Sequence, residues 1–66
     1  MNLKTWRTEV KRWSRKRLAI ELDLAEANSV YRYEVGTRTP HPTVMARIYR
    51  LSRGLVTPND FILHRR

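Results

Sequence analysis

Residues 27–34 read Ala-Asn-Ser-Val-Tyr-Arg-Tyr-Glu, and Gly36 follows after Val35. Asn28 carries a donor and an acceptor side by side, Arg32 a planar fork of donors, and Tyr31 and Tyr33 rings tipped with a hydroxyl. These groups bind; nothing beside them makes or breaks bonds. The chain has no cysteine, no pair of carboxylates on one helical face and no glycine-rich loop to cradle a phosphate. His41 and His64 are too far apart in sequence to suggest a metal site. The sequence therefore predicts no enzyme, no metal and no cofactor, and no small-molecule ligand is evident.

Charge points to the partner. Fourteen Lys and Arg stand against six Asp and Glu, a net charge of +8. That balance favours a polyanion, nucleic acid first and an anionic membrane second. Residues 1–17 hold seven cations (Lys4, Arg7, Lys11, Arg12, Arg15, Lys16 and Arg17) and only Glu9, so this segment is where backbone phosphates are expected. The apolar runs are short and interrupted by arginine, which predicts no membrane span and no signal peptide, hence a cytoplasmic protein.

The elements that position these groups are helical throughout. Leu3, Trp6, Val10 and Trp13 recur at three- and four-residue intervals and define helix 1, with both tryptophans assigned to the core. Ser14 is the natural N-cap of helix 2, residues 15–22, whose stripe is Leu18, Ala19 and Leu22. Ala27, Val30, Tyr31 and Tyr33 give helix 3, residues 26–35, closed by Gly36. Pro40 and Pro42 make residues 37–42 a loop, and Pro42 opens helix 4, residues 42–52, which Gly54 ends. Thr57, Pro58 and Asp60 stand at N-cap, N1 and N3 of a last short helix anchored by Phe61. With no alternating pattern anywhere, the 66 residues are expected to form a single all-α domain, a bundle of about five short helices. Such a chain buries only about 60% of the surface it exposes when unfolded, so a partner subunit is expected to add stability.

A short helix, a tight break, a second short helix ending at glycine and a basic loop is the organisation of a helix-turn-helix, here helices 2 and 3. Through "LAIEL", "SVYRYEVGTRTP" and "VMARIYRLSRGLVTPNDF" the chain resembles the Cro and phage-repressor type of helix-turn-helix protein, XRE-like and lambda-repressor-like in fold. The likeness covers residues 3–61 and is closest to small regulators ending in Val-Thr-Pro-Asn-Asp-Phe. Two features depart from the family pattern: Asp23 stands where glycine is usual in the turn, and the turn is one residue longer.

The resemblance implies a sequence-specific, double-stranded DNA-binding transcriptional regulator of phage or bacterial origin, a repressor more than an activator, with autoregulation an option. It implies that Val30 and Tyr33 are core, that Glu34 turns inward to pair with the scaffold, and that Ala27, Asn28, Tyr31 and Arg32 face bases. Asn can pair adenine N6 and N7, Arg can grip guanine O6 and N7, and an alanine methyl can meet that of thymine. Phosphate contacts are expected from Ser14, Arg15, Lys16, Ser29, Thr37 and Arg38, with His41 and Arg47 as weaker candidates. On this reading, loss of Arg15 weakens binding to every sequence alike.

Plainer readings stand beside these: Asn28 as the N-cap of helix 3, Tyr31 as a cover for the core edge, residues 15–17 as a solvated face, and Arg65 and Arg66 as a frayed tail. The partners implied are an inverted-repeat DNA operator and a second copy of the chain, with Tyr49, Ile62 and Leu63 as the homodimer surface. The alternative is an antitoxin-like interaction module with secondary DNA binding. RNA modules are disfavoured, since neither an aromatic-rich sheet nor a Gly-x-x-Gly loop is present.

Overall fold

The computed structural model describes residues 1–62, with the backbone alone for Ile62, and contains five helices and no strand among them. The Ile62 side chain, Leu63 and the Arg65–Arg66 pair, named above for the dimer surface and tail, lie outside the described residues. No helix among the described residues is long and apolar enough to cross a membrane.

Helix α1 spans Leu3–Thr5 and continues as π-wound turns over Trp6–Lys11. Asn2 caps its start, the side-chain oxygen accepting from the Thr5 amide at 2.8 Å. The π winding corrects the expected stripe. Hydrogen bonds from i to i+5 widen each turn, so Val10 does not come back over Trp6 and stays 48% exposed. Trp13 follows the helix instead of ending it, and packs edge-on against Trp6 with ring centroids 5.8 Å apart. Arg12 makes the corner between them at φ 57°.

Helix α2, Arg15–Glu21, starts where the Ser14 hydroxyl accepts from the Arg17 amide at 3.0 Å. Its exit explains Asp23. The Leu24 amide donates to the Ala19 carbonyl at 2.8 Å and the Asp23 amide to Ile20 at 3.1 Å, the two bonds of a Schellman motif. That motif puts Asp23 at φ 59°, a left-handed conformation which aspartate tolerates better than most residues. Leu24 then packs against the core. Helix α3, Ala27–Val35, follows with Glu26 as its N-cap, so Asn28 is not the cap. Gly36 closes it at φ 83°.

Helix α4 runs Pro42–Leu51 and ends in the turn that Gly54 closes, as expected. Arg53, at φ 55°, takes the left-handed position before Gly54, and the Gly54 amide reaches back to Tyr49 at 2.9 Å. Ser52, 2% exposed, sits inside this turn and accepts from the Val56 amide at 3.0 Å. Helix α5, Pro58–Ile62, completes the order.

The core is one cluster: Leu3, Trp6, Leu18, Ala19, Leu22, Val30, Tyr33, Val44, Ile48, Val56 and Phe61. It draws on every helix, and each fully buried aliphatic in it contributes about 1.5–3 kcal/mol. Val56, fully buried between α4 and α5, is the core member that periodicity does not reveal.

Asp60 acts as expected at the head of α5. Its Oδ2 accepts from the Thr57 amide at 2.7 Å and the Thr57 hydroxyl at 3.1 Å, and the Met1 amino group lies 3.3 Å from Oδ1. Burial pushes the carboxyl up, but the Thr57 and Met1 donors outweigh it and hold it below its ordinary value. A depressed carboxyl stabilises the fold above the unfolded value of about 3.9 and ceases to do so as pH falls through the folded one. Asp60→Ala is expected to cost about 1 kcal/mol in urea unfolding at pH 7. Asp60→Asn should remove part of the wild-type loss of stability below about pH 4; an identical acid profile in both proteins would contradict the assignment.

Candidate functional site

Helix α3 has an inner and an outer face. Val30 and Tyr33 point into the core, at 0% and 5% exposure. Asn28, Tyr31 and Arg32 are exposed, and Ala27 and Ser29 are half-buried beside them. Residues 27, 28, 31 and 32 share one side of the helix because they are spaced by whole turns or adjacent within one. Arg15, Ala27, Asn28 and Tyr31 line an open hollow of ≈ 500 Å³. Tyr31 is thus a surface side chain, not a cover for the core.

What fixes that outer face is a buried charge cluster. The Glu34 carboxylate, 1% exposed, accepts from Arg7 Nε, from Arg7 Nη2 at 3.3 Å and from Arg15 Nε at 3.0 Å. Arg7 Nη1 also donates to the Trp13 carbonyl at 2.9 Å. Three segments meet here: the π-wound turns, the start of α2, and α3. Glu34 does turn inward, as the resemblance implies, and its principal partner is a residue that charge counting places on the surface. The sequence carries a partial signal for Arg7, which follows Trp6 and lies four residues after Leu3, on the border of the apolar stripe.

Other cations of the first segment are also engaged within the fold. Lys11 Nζ lies 5.2 Å from the Trp13 ring and the Arg17 guanidinium 4.8 Å from it, while Arg17 Nε donates to Glu21 at 2.9 Å. The guanidinium of Arg15 lies 5.0 Å from the Tyr31 ring as well as on Glu34. Lys4, Arg12 and Lys16 are exposed. Within this basic segment Arg7 is buried and Arg15 half-buried. Its apolar neighbours and a buried acid take up much of the charge.

Of the remaining residues singled out in the sequence, Ser14 is exposed with its hydroxyl oxygen capping α2. The Arg15 and Lys16 amides lie in the same first turn, where a helix favours anions. Thr37 and Arg38 are exposed directly after Gly36, and their amides both donate to the Arg32 carbonyl, at 3.0 and 3.3 Å. His41 caps α4, its Nδ1 accepting from the Thr43 amide at 3.4 Å. Arg47 has a structural contact: Nη1 donates to the Leu22 carbonyl at 3.1 Å, satisfying an orphan acceptor at the end of α2 and tying α4 to it. Tyr49 is half-exposed and lies near Gly54.

Removing one member of a buried, hydrogen-bonded pair strands the other charge, at a cost of about 3–5 kcal/mol. A chain this small has about that much stability to lose. Glu34→Ala is therefore expected to abolish or nearly abolish cooperative thermal unfolding in circular dichroism, whereas Glu21→Ala, at an exposed i,i+4 pair, should move the midpoint little. Equal midpoints for the two variants would contradict the role given to Glu34.

Compared with models of protein families, with curated proteins and with solved structures, the chain matches none of them significantly.

Proposed function

We propose that the chain is a sequence-specific, double-stranded DNA-binding regulator of transcription, with α2 and α3 as a helix-turn-helix and α3 entering the major groove. The observation that carries this reading is the outer face of α3. Ala27, Asn28, Tyr31 and Arg32 lie together on it, backed by two buried anchors, on a chain of net charge +8. Asn and Arg supply the bidentate pairings by which bases are told apart, and Ala27 supplies a methyl surface. Ser14, Arg15, Lys16, Ser29, Thr37 and Arg38 flank that face in sequence and supply hydroxyls, amides and cations of the kind that hold phosphates.

Regulation by such a protein is repression first, through occupation of a promoter. A nine-residue helix reads few base pairs, so the protein acts as a homodimer on an inverted repeat, with half-sites about 34 Å apart or a multiple of that. A second reading, the antitoxin-like interaction module, draws on a different surface. Val10 and Leu55, both 48% exposed, border a hollow of ≈ 270 Å³ that Trp6, Lys11, Leu51, Ser52 and Arg53 also line. Co-purification of a stable heteromeric protein partner together with failure to select any duplex would favour that module.

Selection of bound sites from a random duplex library tests the first reading, and enrichment of an inverted repeat is expected. Arg32→Ala should then relax discrimination at one base pair by about 1–3 kcal/mol. Lys16→Ala should weaken every sequence alike and lower the salt dependence by about one phosphate. Equal loss on all sequences from Arg32→Ala would contradict its base-reading role.

A further inference from the structure

Arg15 makes two contacts that a simple phosphate-reaching cation does not need. Its Nε donates to Glu34 Oε1 at 3.0 Å, and its guanidinium carbon lies 5.0 Å from the centroid of the Tyr31 ring. Glu34 is 1% exposed and Tyr31 44% exposed, so one flat group links a buried anchor to a surface ring. Tyr31 and Glu34 are three residues apart on α3 and therefore neighbours on its surface, which lets a single side chain from α2 reach both.

A guanidinium is rigid and planar, so holding Nε on a buried carboxylate sets the plane of the whole group. A cation held over an aromatic face in turn restrains the ring. The same Arg15 and Tyr31, with Ala27 and Asn28, wall the hollow on the outer face of α3. The shape of that hollow thus depends on a residue of α2.

We infer that Arg15 is a positioning residue: anchored by Glu34, it fixes the Tyr31 ring and so sets which base pair Tyr31 discriminates. This rests on the DNA-reading proposal above and replaces the expectation that Arg15 serves all sequences alike. Lysine is the informative substitution, because it keeps the charge but has neither the plane nor the fork.

The test uses the wild-type protein, Arg15→Lys, Tyr31→Ala and the double variant. Each is titrated on the wild-type selected duplex and on its single-base-pair variants at several salt concentrations, after urea unfolding has shown that each is folded. Tyr31→Ala should lose about tenfold discrimination at one base pair. Arg15→Lys should lose discrimination at that same pair while keeping the wild-type salt dependence, and the double variant should lose no more than Tyr31→Ala alone. Uniform weakening by Arg15→Lys, with the Tyr31-dependent preference intact, would overturn the inference. If the wild-type protein enriches no duplex, the DNA-reading proposal fails, and the positioning contact is read separately in the free protein. Ring-current shifts of the Arg15 side-chain protons that vanish in Tyr31→Ala support the contact, and their absence in the wild type overturns it.

Discussion

One carboxylate organises the molecule. Glu34 takes hydrogen bonds from Arg7 and Arg15 in a nearly water-free site, and through them joins the first helical segment, α2 and α3. A buried acid is tolerated only when its lone pairs are satisfied. Here three guanidinium donors meet two oxygens, and among the described residues no buried side-chain polar atom is left without a partner. Such a cluster adds less net energy than its short distances suggest, because desolvation offsets much of the attraction. Its effect is on geometry. It ties α3 to its neighbours in the orientation that has Val30 and Tyr33 inward and Asn28, Tyr31 and Arg32 outward.

The apolar core does the complementary work. Trp6, Leu18, Leu22 and Val30 are essentially inaccessible to water and hold α2 against α3 from beneath. Tight turns complete the frame, since Asp23, Gly36 and Arg53 all adopt left-handed backbone where a helix must stop abruptly. Glycine is cheapest in such positions, and the use of Asp and Arg adds strain that the surrounding hydrogen bonds must outweigh. Positive charge is divided in the same economical way. Arg7 and Arg47 brace the interior, Lys11 and Arg17 lie across Trp13, and Lys4, Arg12 and Lys16 stay exposed.

Much of this was legible in the residues. The caps at Ser14 and Asp60, the closure at Gly36, the anchor Phe61 and the helix order follow from local sequence chemistry, whereas the core roles of Val30 and Tyr33 are implied by the resemblance and are met by their burial. The misses share a different cause. Val10 lies off the stripe because the helix changes its winding after Thr5, which residue types do not announce. The partners of Arg7 and Arg47 are distant in sequence, 27 and 25 residues away, so helical periodicity carries no information about them. For the outer face of α3 the sequence supplies the residue types and the structure their arrangement, with Asn28, Tyr31 and Arg32 exposed and Ala27 and Ser29 half-buried beside them.

The most direct measurement is a titration of the isotope-labelled protein with its selected duplex, followed by the backbone amide signals. The account predicts that the largest changes fall at residues 14–16, 27–32 and 37–38. Changes centred instead on Val10, Arg53 and Leu55, or no change at all at saturating duplex, would contradict it.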